Sequence, residues 1–222
     1  MAGLLLLGSR RYSSWSLRGW LAVRLAGLDV EEEVIPLKGG GRTVAIHQRS
    51  PNRLVPYLEH DGAQVWESLA ICAYCAEITP SLWPQDRLAR AHAWSVSAQM
   101  AAGFRAIRQL CPMNMEREPA RPAGLSAEQQ GALEKDLSFL NTVLTHALTR
   151  NGDATPYLFG AHPGVADCMY APIALRIAQY GLEPFFSPDV IAWCQQWREH
   201  ALMRRWQELS AQEPASWRLG TG

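Results

Sequence analysis

The sequence predicts a two-part chain: an α/β domain over residues 1–79, a linker at 80–86 and an all-helical domain over 87–222. Three observations carry that expectation. Strand-like and helix-like stretches alternate as far as residue 78. The segment Thr79-Pro-Ser-Leu-Trp-Pro-Gln85 then places two prolines within five residues, which suits a connection rather than a regular element. Beyond it, apolar residues recur at helical spacing.

Taken in order, Gly3 to Leu7 is a short apolar strand closed by Gly8-Ser9. Trp15 to Ala26 has apolar residues at 17, 20, 21 and 25 and reads as a helix, with Gly27 as its C′ residue. Val30 to Leu37 mixes acidic and β-branched positions and reads as a strand ending near Pro36. A strand, helix, strand succession implies a right-handed crossover and parallel pairing. Lys38-Gly-Gly-Gly-Arg42 lacks the spacing of a phosphate-cradling loop and reads as a flap, followed by a short helix near 43–49. Val55 to Glu59 and Gln64 to Trp66 flank Asp61-Gly62, a strong hairpin signal because glycine tolerates positive φ. A helix over 68–78 completes the first part.

In the second part, Val96, Met100, Phe104, Ile107 and Cys111 share one stripe of a single helix over 87–111, which Pro112 stops. Residues 112–125 form a loop. Ser126 and Gln129 have capping-box spacing, and a long helix follows to Arg150, ended by Asn151-Gly152. Helices near 165–180, 188–199 and 201–211 close the chain.

Lys+Arg and Asp+Glu are both 21, so net charge is zero and no nucleic acid or anionic membrane is implied as a partner. No apolar run is long enough to span a bilayer, and no signal core precedes the first strand; the expected compartment is cytoplasmic. The five cysteines show no framework spacing, and Cys72 and Cys75 fall on one face of a helix, where they read as small buried hydrophobes. No histidine pair has metal-ligand spacing, so no metal is expected.

The local chemistry concentrates in Leu54 to Ile71. Pro56 cannot donate to a ladder and marks an edge, a bulge or a special bond. If Val55-Pro56 is cis, the Val55 N–H and C=O face outward and can pair with an extended peptide. Ser68 reads as an N-cap after Glu67, and the free amides of that first turn suit a carboxylate. Such a site fits a small acidic peptide. The plainer reading is an ordinary edge proline and an ordinary cap.

With that spacing, Val55-Pro56 followed by Glu67-Ser68 resembles the glutathione transferases. The resemblance implies a thioredoxin-like N-terminal domain in β-α-β-α-β-β-α order and an all-helical C-terminal domain. It implies glutathione as co-substrate, with Val55-Pro56 at the peptide and Glu67-Ser68 at its γ-glutamyl end. At the first helix start, where such folds place the reactive group, the chain has Ser13-Ser-Trp-Ser-Leu-Arg18 and no cysteine, which excludes dithiol exchange there.

The run is similar to the zeta-class signature, but Trp15 stands where a cysteine follows the two serines. The resemblance makes Ser14 the catalytic hydroxyl and Arg18 its electrostatic helper, with Ser13, Ser16 and Tyr12 as other hydroxyl candidates. Relatives carry Gln or Lys two residues before the proline; here Leu54 stands there, and Arg53 supplies the charge for the glycine end, ahead of Arg42 and His47. Gly164 and Asp167 match the family's Ser/Thr-x-x-Asp helix start with glycine as the cap, which makes Asp167 structural.

The electrophile is expected between the domains, with Met100, Phe104 and Met113 as apolar walls and Arg105 and Arg108 for an acidic group. The implied function is transfer of glutathione to a small electrophile by a homodimer. Two alternatives stand beside it: a zeta-like cis–trans isomerase acting on maleylacetoacetate, and a binding protein of the same fold without turnover.

Overall fold

A computed structural model describes residues 3–38, 43–150 and 154–219. Its first part follows the expected order: β1 (Gly3–Gly8), α1 (Ser14–Leu25), β2 (Val30–Ile35), α2 (Val44–His47), β3 (Tyr57–His60), β4 (Ala63–Trp66) and α3 (Ser68–Ile78). The strand order is β2-β1-β3-β4. β1 runs parallel to β2 and antiparallel to β3, and β3 pairs antiparallel with β4. This is the thioredoxin-like sheet.

The apolar run of β1 follows from its central place, covered on both faces. Leu5 and Leu7 join the main core with α1 and α3, while Leu6 turns the other way onto Ile35, Ile46 and Tyr57. That split is the period-2 alternation of a strand. The hairpin turn places Asp61 at φ 48° and Gly62 at φ 82°, the doubly left-handed geometry its sequence announced.

The helical part comprises α4 (Arg87–Ala102), α5 (Arg105–Leu110), α6 (Ala127–Thr149), α7 (Val165–Tyr180), α8 (Pro188–Glu199) and α9 (Ala201–Ala211). Helix α7 is buried nearly all round and packs against α1, α3, α4 and α8. It joins the two halves into one core, which explains why its sequence lacks a polar face. The capping box at Ser126 and Gln129 is formed.

The single helix expected over 87–111 is broken. Gly103 is extended and Phe104 is left-handed at φ 56°. Three contacts hold the break. Phe104 is buried against Phe139 and Tyr170. The Asp136 carboxylate accepts the amides of Ala106 at 2.9 Å and Ile107 at 3.3 Å, capping α5 from outside. Arg108 turns back onto the carbonyls of Met100 and Ala101 at the end of α4. Gly103 was the local sign of the break; the side chains that fix it come from another helix.

The expected cap of α3 also shifts by one. Glu67 occupies the N-cap position at φ 69°, ψ 128°, without a side-chain cap bond, and Ser68 is already helical. The glycine before α7 has a steric reason: a Cβ on Gly164 would lie 2.6 Å from the carbonyl oxygen of Leu82. Asp167 accepts the amides of Gly164 and Leu158, both at 3.1 Å, and the Trp193 indole N–H at 2.9 Å. Burial pushes its carboxyl above the ordinary aspartate value, against those donors. The glycines of the proposed flap, Arg42 and the Asn151-Gly152 stop lie outside the described residues.

Candidate functional site

A cavity of about 330 Å³ lies where three segments meet. The β1–α1 loop contributes Tyr12 and Ser13 and the start of α1 Ser14 and Trp15; the segment before β3 contributes Arg53, Leu54 and Val55; the helical half contributes Arg108, Met113 and Arg176. His47 and Leu219 also reach it. Its size is that of a small-molecule site.

The serine loop is held from both sides. Glu213, beyond α9, accepts the backbone amides of Arg10 and Arg11. The buried Arg11 guanidinium bonds Glu116 at 2.9 Å and the carbonyls of Glu213 and Pro214. The Trp206 indole donates to the Arg10 carbonyl at 3.1 Å. A loop fixed by groups 105 to 203 residues away presents its next residues rigidly.

The hydroxyls of that loop are not equivalent. Ser13 is the N-cap of α1: its Oγ accepts the Ser16 amide at 3.1 Å and donates to Ser16 Oγ at 2.8 Å. Ser16 is fully buried and accepts the Gly8 amide at 3.0 Å. Tyr12 accepts the Leu219 amide at 3.1 Å. Ser14 lines the cavity and accepts from Arg176 Nη2 at 3.1 Å, which leaves its own proton to donate.

Arg176 is a residue that sequence reasoning missed. It lies on α7, 3% exposed, with Nε on the Cys111 carbonyl at 2.9 Å and Nη1 without a partner among the described residues. Burial first, and the Arg108 charge second, push its guanidinium down to about 10, which leaves it charged at neutral pH. A lone arginine in the apolar run Ala174-Leu-Arg-Ile177 was the signal available, since a buried charge needs a partner.

Trp15 carries two cations against its ring, Arg18 at 4.2 Å and Arg108 at 4.6 Å from the centroid. Arg18 is fully buried and donates Nε to the Met169 carbonyl at 2.8 Å; it does not line the cavity. Burial, then the charges of Arg176 and Arg108, push it well below the ordinary arginine value.

Of the peptide-side residues, Val55 and Arg53 line the cavity and Pro56, Glu67 and Ser68 do not. The Val55–Pro56 bond is cis. Paired residues of β3 begin at Tyr57, so Val55 lies outside the ladder. Pro56 packs on α1 at Gly19, where a Cβ would lie 3.0 Å from the proline ring. Glu67 is exposed and accepts from Asn52 at 3.0 Å. The Ser68 hydroxyl is buried and turned toward the Met169 sulfur at 3.9 Å.

Met113 lines the cavity, whereas Met100 and Phe104 belong to the core and Arg105 is exposed outside the lining. Cys72 and Cys75 are buried free thiols, and burial pushes both up, Cys75 to about 12, so neither is a nucleophile at neutral pH. Among the described residues no group of His, Cys, Asp or Glu could hold a metal, and no helix is long and apolar enough to cross a membrane.

With this geometry in hand, comparisons place the chain among known proteins. Residues 12–78 match the family model of the glutathione S-transferase N-terminal domain, and residues 118–200 that of the C-terminal domain. The maleylacetoacetate isomerase of Rattus norvegicus is 31% identical over 181 residues, 77% of this chain and 77% of that protein. A probable maleylacetoacetate isomerase of Caenorhabditis elegans is 26% identical over 183 residues, 82% and 81% of the two chains. Among solved structures, a Burkholderia glutathione transferase homologue with bound glutathione superposes with TM-score 0.69 at 20% identity, covering 96% of this chain and 100% of that one. An unclassified glutathione S-transferase from Bombyx mori gives 0.71 at 21% identity, covering 95% and 94%.

Proposed function

The chain belongs to the glutathione S-transferase family, and from that premise we propose that it activates the thiol of glutathione for attack on a small electrophile carrying a carboxylate. The observation that carries this reading is the Ser14 hydroxyl, held by Arg176 in a cavity that also receives Val55. A free thiol is mostly protonated at neutral pH, and a hydrogen bond to the charged form lowers its pKa. Arg176 occupies a lone pair of Ser14 Oγ, so the serine proton is the group left to donate to a thiolate. The buried positive charge behind it acts in the same direction.

In this reading the peptide pairs with the Val55 backbone, Arg53 meets the glycine carboxylate, and the start of α3 at Glu67 and Ser68 receives the γ-glutamyl end. Because the Ser68 hydroxyl is turned inward, the first-turn amides rather than that hydroxyl are the contacts we assign there. Arg18 supports the site from beneath Trp15 instead of touching the thiol. The carboxylate of the electrophile meets Arg108 and Arg176, with Met113 as apolar wall. We propose a cytoplasmic homodimer, for which the exposed Trp66, Leu88 and Trp94 on β4 and α4 offer apolar surface.

A second reading is favoured by the names of the curated relatives: glutathione adds to a maleylacetoacetate-like double bond and leaves again after rotation. A conjugation assay over acidic and neutral electrophiles, run beside maleylacetoacetate, separates the two. Conjugation of an acidic electrophile supports the first, isomerisation alone the second. Glutathione binding with neither reaction would leave a non-catalytic protein.

A further inference from the structure

Trp15 is the second residue of α1, and its half-buried indole forms part of the cavity wall. Both guanidinium carbons that face it lie within the distance at which a ring quadrupole attracts a cation. That attraction strengthens as water is removed. Neither arginine forms an ion pair with a carboxylate among the described residues. Arg18 has both terminal nitrogens buried without hydrogen-bond partners. Arg108 spends its terminal nitrogens on the end of α4 and leaves Nε buried and unpartnered. The indole is thus an electron-rich group that faces both charges.

The arrangement has a directional consequence. Arg108 follows the break between α4 and α5, and it lines the cavity beside Arg176. The carbonyls of Met100 and Ala101 hold its terminal nitrogens. A ring at position 15 also holds the guanidinium at the cavity wall and limits its drift from that place. An aliphatic side chain there offers a cation nothing.

We propose that Trp15 is a positioning residue that sets specificity: its indole holds the Arg108 guanidinium at the cavity wall, so the site favours electrophiles bearing a carboxylate over neutral ones. This inference rests on the reading of the cavity as the electrophile's site. The preference for an anion is nevertheless measurable by binding, without turnover.

The experiment uses the full chain saturated with glutathione. Two unreactive probes, 3-nitrobenzoate and its methyl ester, are titrated calorimetrically, and the ratio of their affinities is the readout. The reactive pair, 4-chloro-3-nitrobenzoate and its methyl ester, is assayed in parallel. The wild type should bind the acid about tenfold more tightly than the ester, and Trp15→Leu should reduce that ratio severalfold. Trp15→Phe retains a ring of weaker quadrupole and should fall between them.

Arg108→Gln should lower the ratio as Trp15→Leu does, and the double variant should lose little more, because both changes remove one interaction. A loss of overall stability would not move this ratio. Equal acid and ester affinity in the wild type overturns the proposal, as does an undiminished ratio in Trp15→Leu or fully additive losses in the double variant. If Trp15→Leu does not fold, an unchanged ratio in Trp15→Phe overturns it instead. A wild type that prefers the acid but conjugates neither substrate supports the positioning role, provided the variants behave as stated, and overturns the transferase reading.

Discussion

At the scale of single residues, Ser14 and Glu67 bear the sharpest expectations. Ser14 accepts from a buried cation and lines the cavity, so its own proton is left to donate. Ser14→Ala should therefore raise the apparent pKa of bound glutathione by about one unit, roughly 1.4 kcal/mol between the protonation states. Turnover at mildly acidic pH should fall about tenfold, and the deficit should shrink as pH rises and the thiol ionises unaided. Titration of thiolate absorbance in the two proteins measures this directly; coincident curves would remove Ser14 from the mechanism. Glu67 is a different case. Its φ of 69° is strained for any residue with a Cβ, and the site sits where α3 begins. Glu67→Gly should raise stability by about 1 kcal/mol and weaken glutathione binding. Denaturant unfolding and calorimetry read the two effects separately, and unchanged affinity would place the γ-glutamyl group elsewhere.

Elements of this chain are joined by contacts their own sequences do not announce. Gly164 departs from the family's serine or threonine cap, and the departure is a packing requirement rather than a defect. Gly164→Ser would add a cap hydroxyl worth a few tenths of a kcal/mol over glycine. It would also drive a Cβ into the Leu82 carbonyl. The clash should win, with a net loss of about 1–3 kcal/mol, measurable as a lower thermal midpoint. A more stable variant would show that the linker simply moves aside.

Glu32 ties β2 to α1 and to the serine loop, meeting Arg24, Arg10 and the Trp20 indole. Burial works to raise its carboxyl, but the bonds from Arg24 and Trp20 and the charge of Arg10 outweigh it, so the folded value is lowered. Its stabilisation is complete above the unfolded glutamate value and is lost as pH falls through the lower folded value. Glu32→Gln should flatten stability against pH on that acid side, as followed by urea unfolding at several pH values. An unaltered acid slope would assign it to other carboxylates.

At the scale of the whole molecule, α7 is the shared core of both halves, and the cavity exists only because the halves meet over it. The exposed Trp66, at 43%, and Leu88, at 58%, lie on β4 and α4, each of which packs against α3, and suit the proposed dimer contact. Trp66→Asp with Leu88→Asp should shift sedimentation from a dimer to a monomer; a wild type that sediments as a monomer would dismiss the dimer outright. The sequence by itself determined the element order of the first part, the hairpin turn, the long capped helix and the glycine-capped Asp167, because each depends on periodicity or on backbone chemistry within a few residues. The tight pairing of strand patterns with Asp61-Gly62 is local in this sense, and so is the match of Ser126 to Gln129. Tertiary structure alone decided which hydroxyl meets a buried cation, where the helix after the linker breaks, and which cations face the cavity. Ser13, Ser14 and Ser16 look alike in a string. They are told apart by Gly8 and by Arg176, the latter 162 positions from Ser14. Long-range packing assigns a partner to each buried polar group, and that partner is what gives an otherwise ordinary serine or arginine its chemistry.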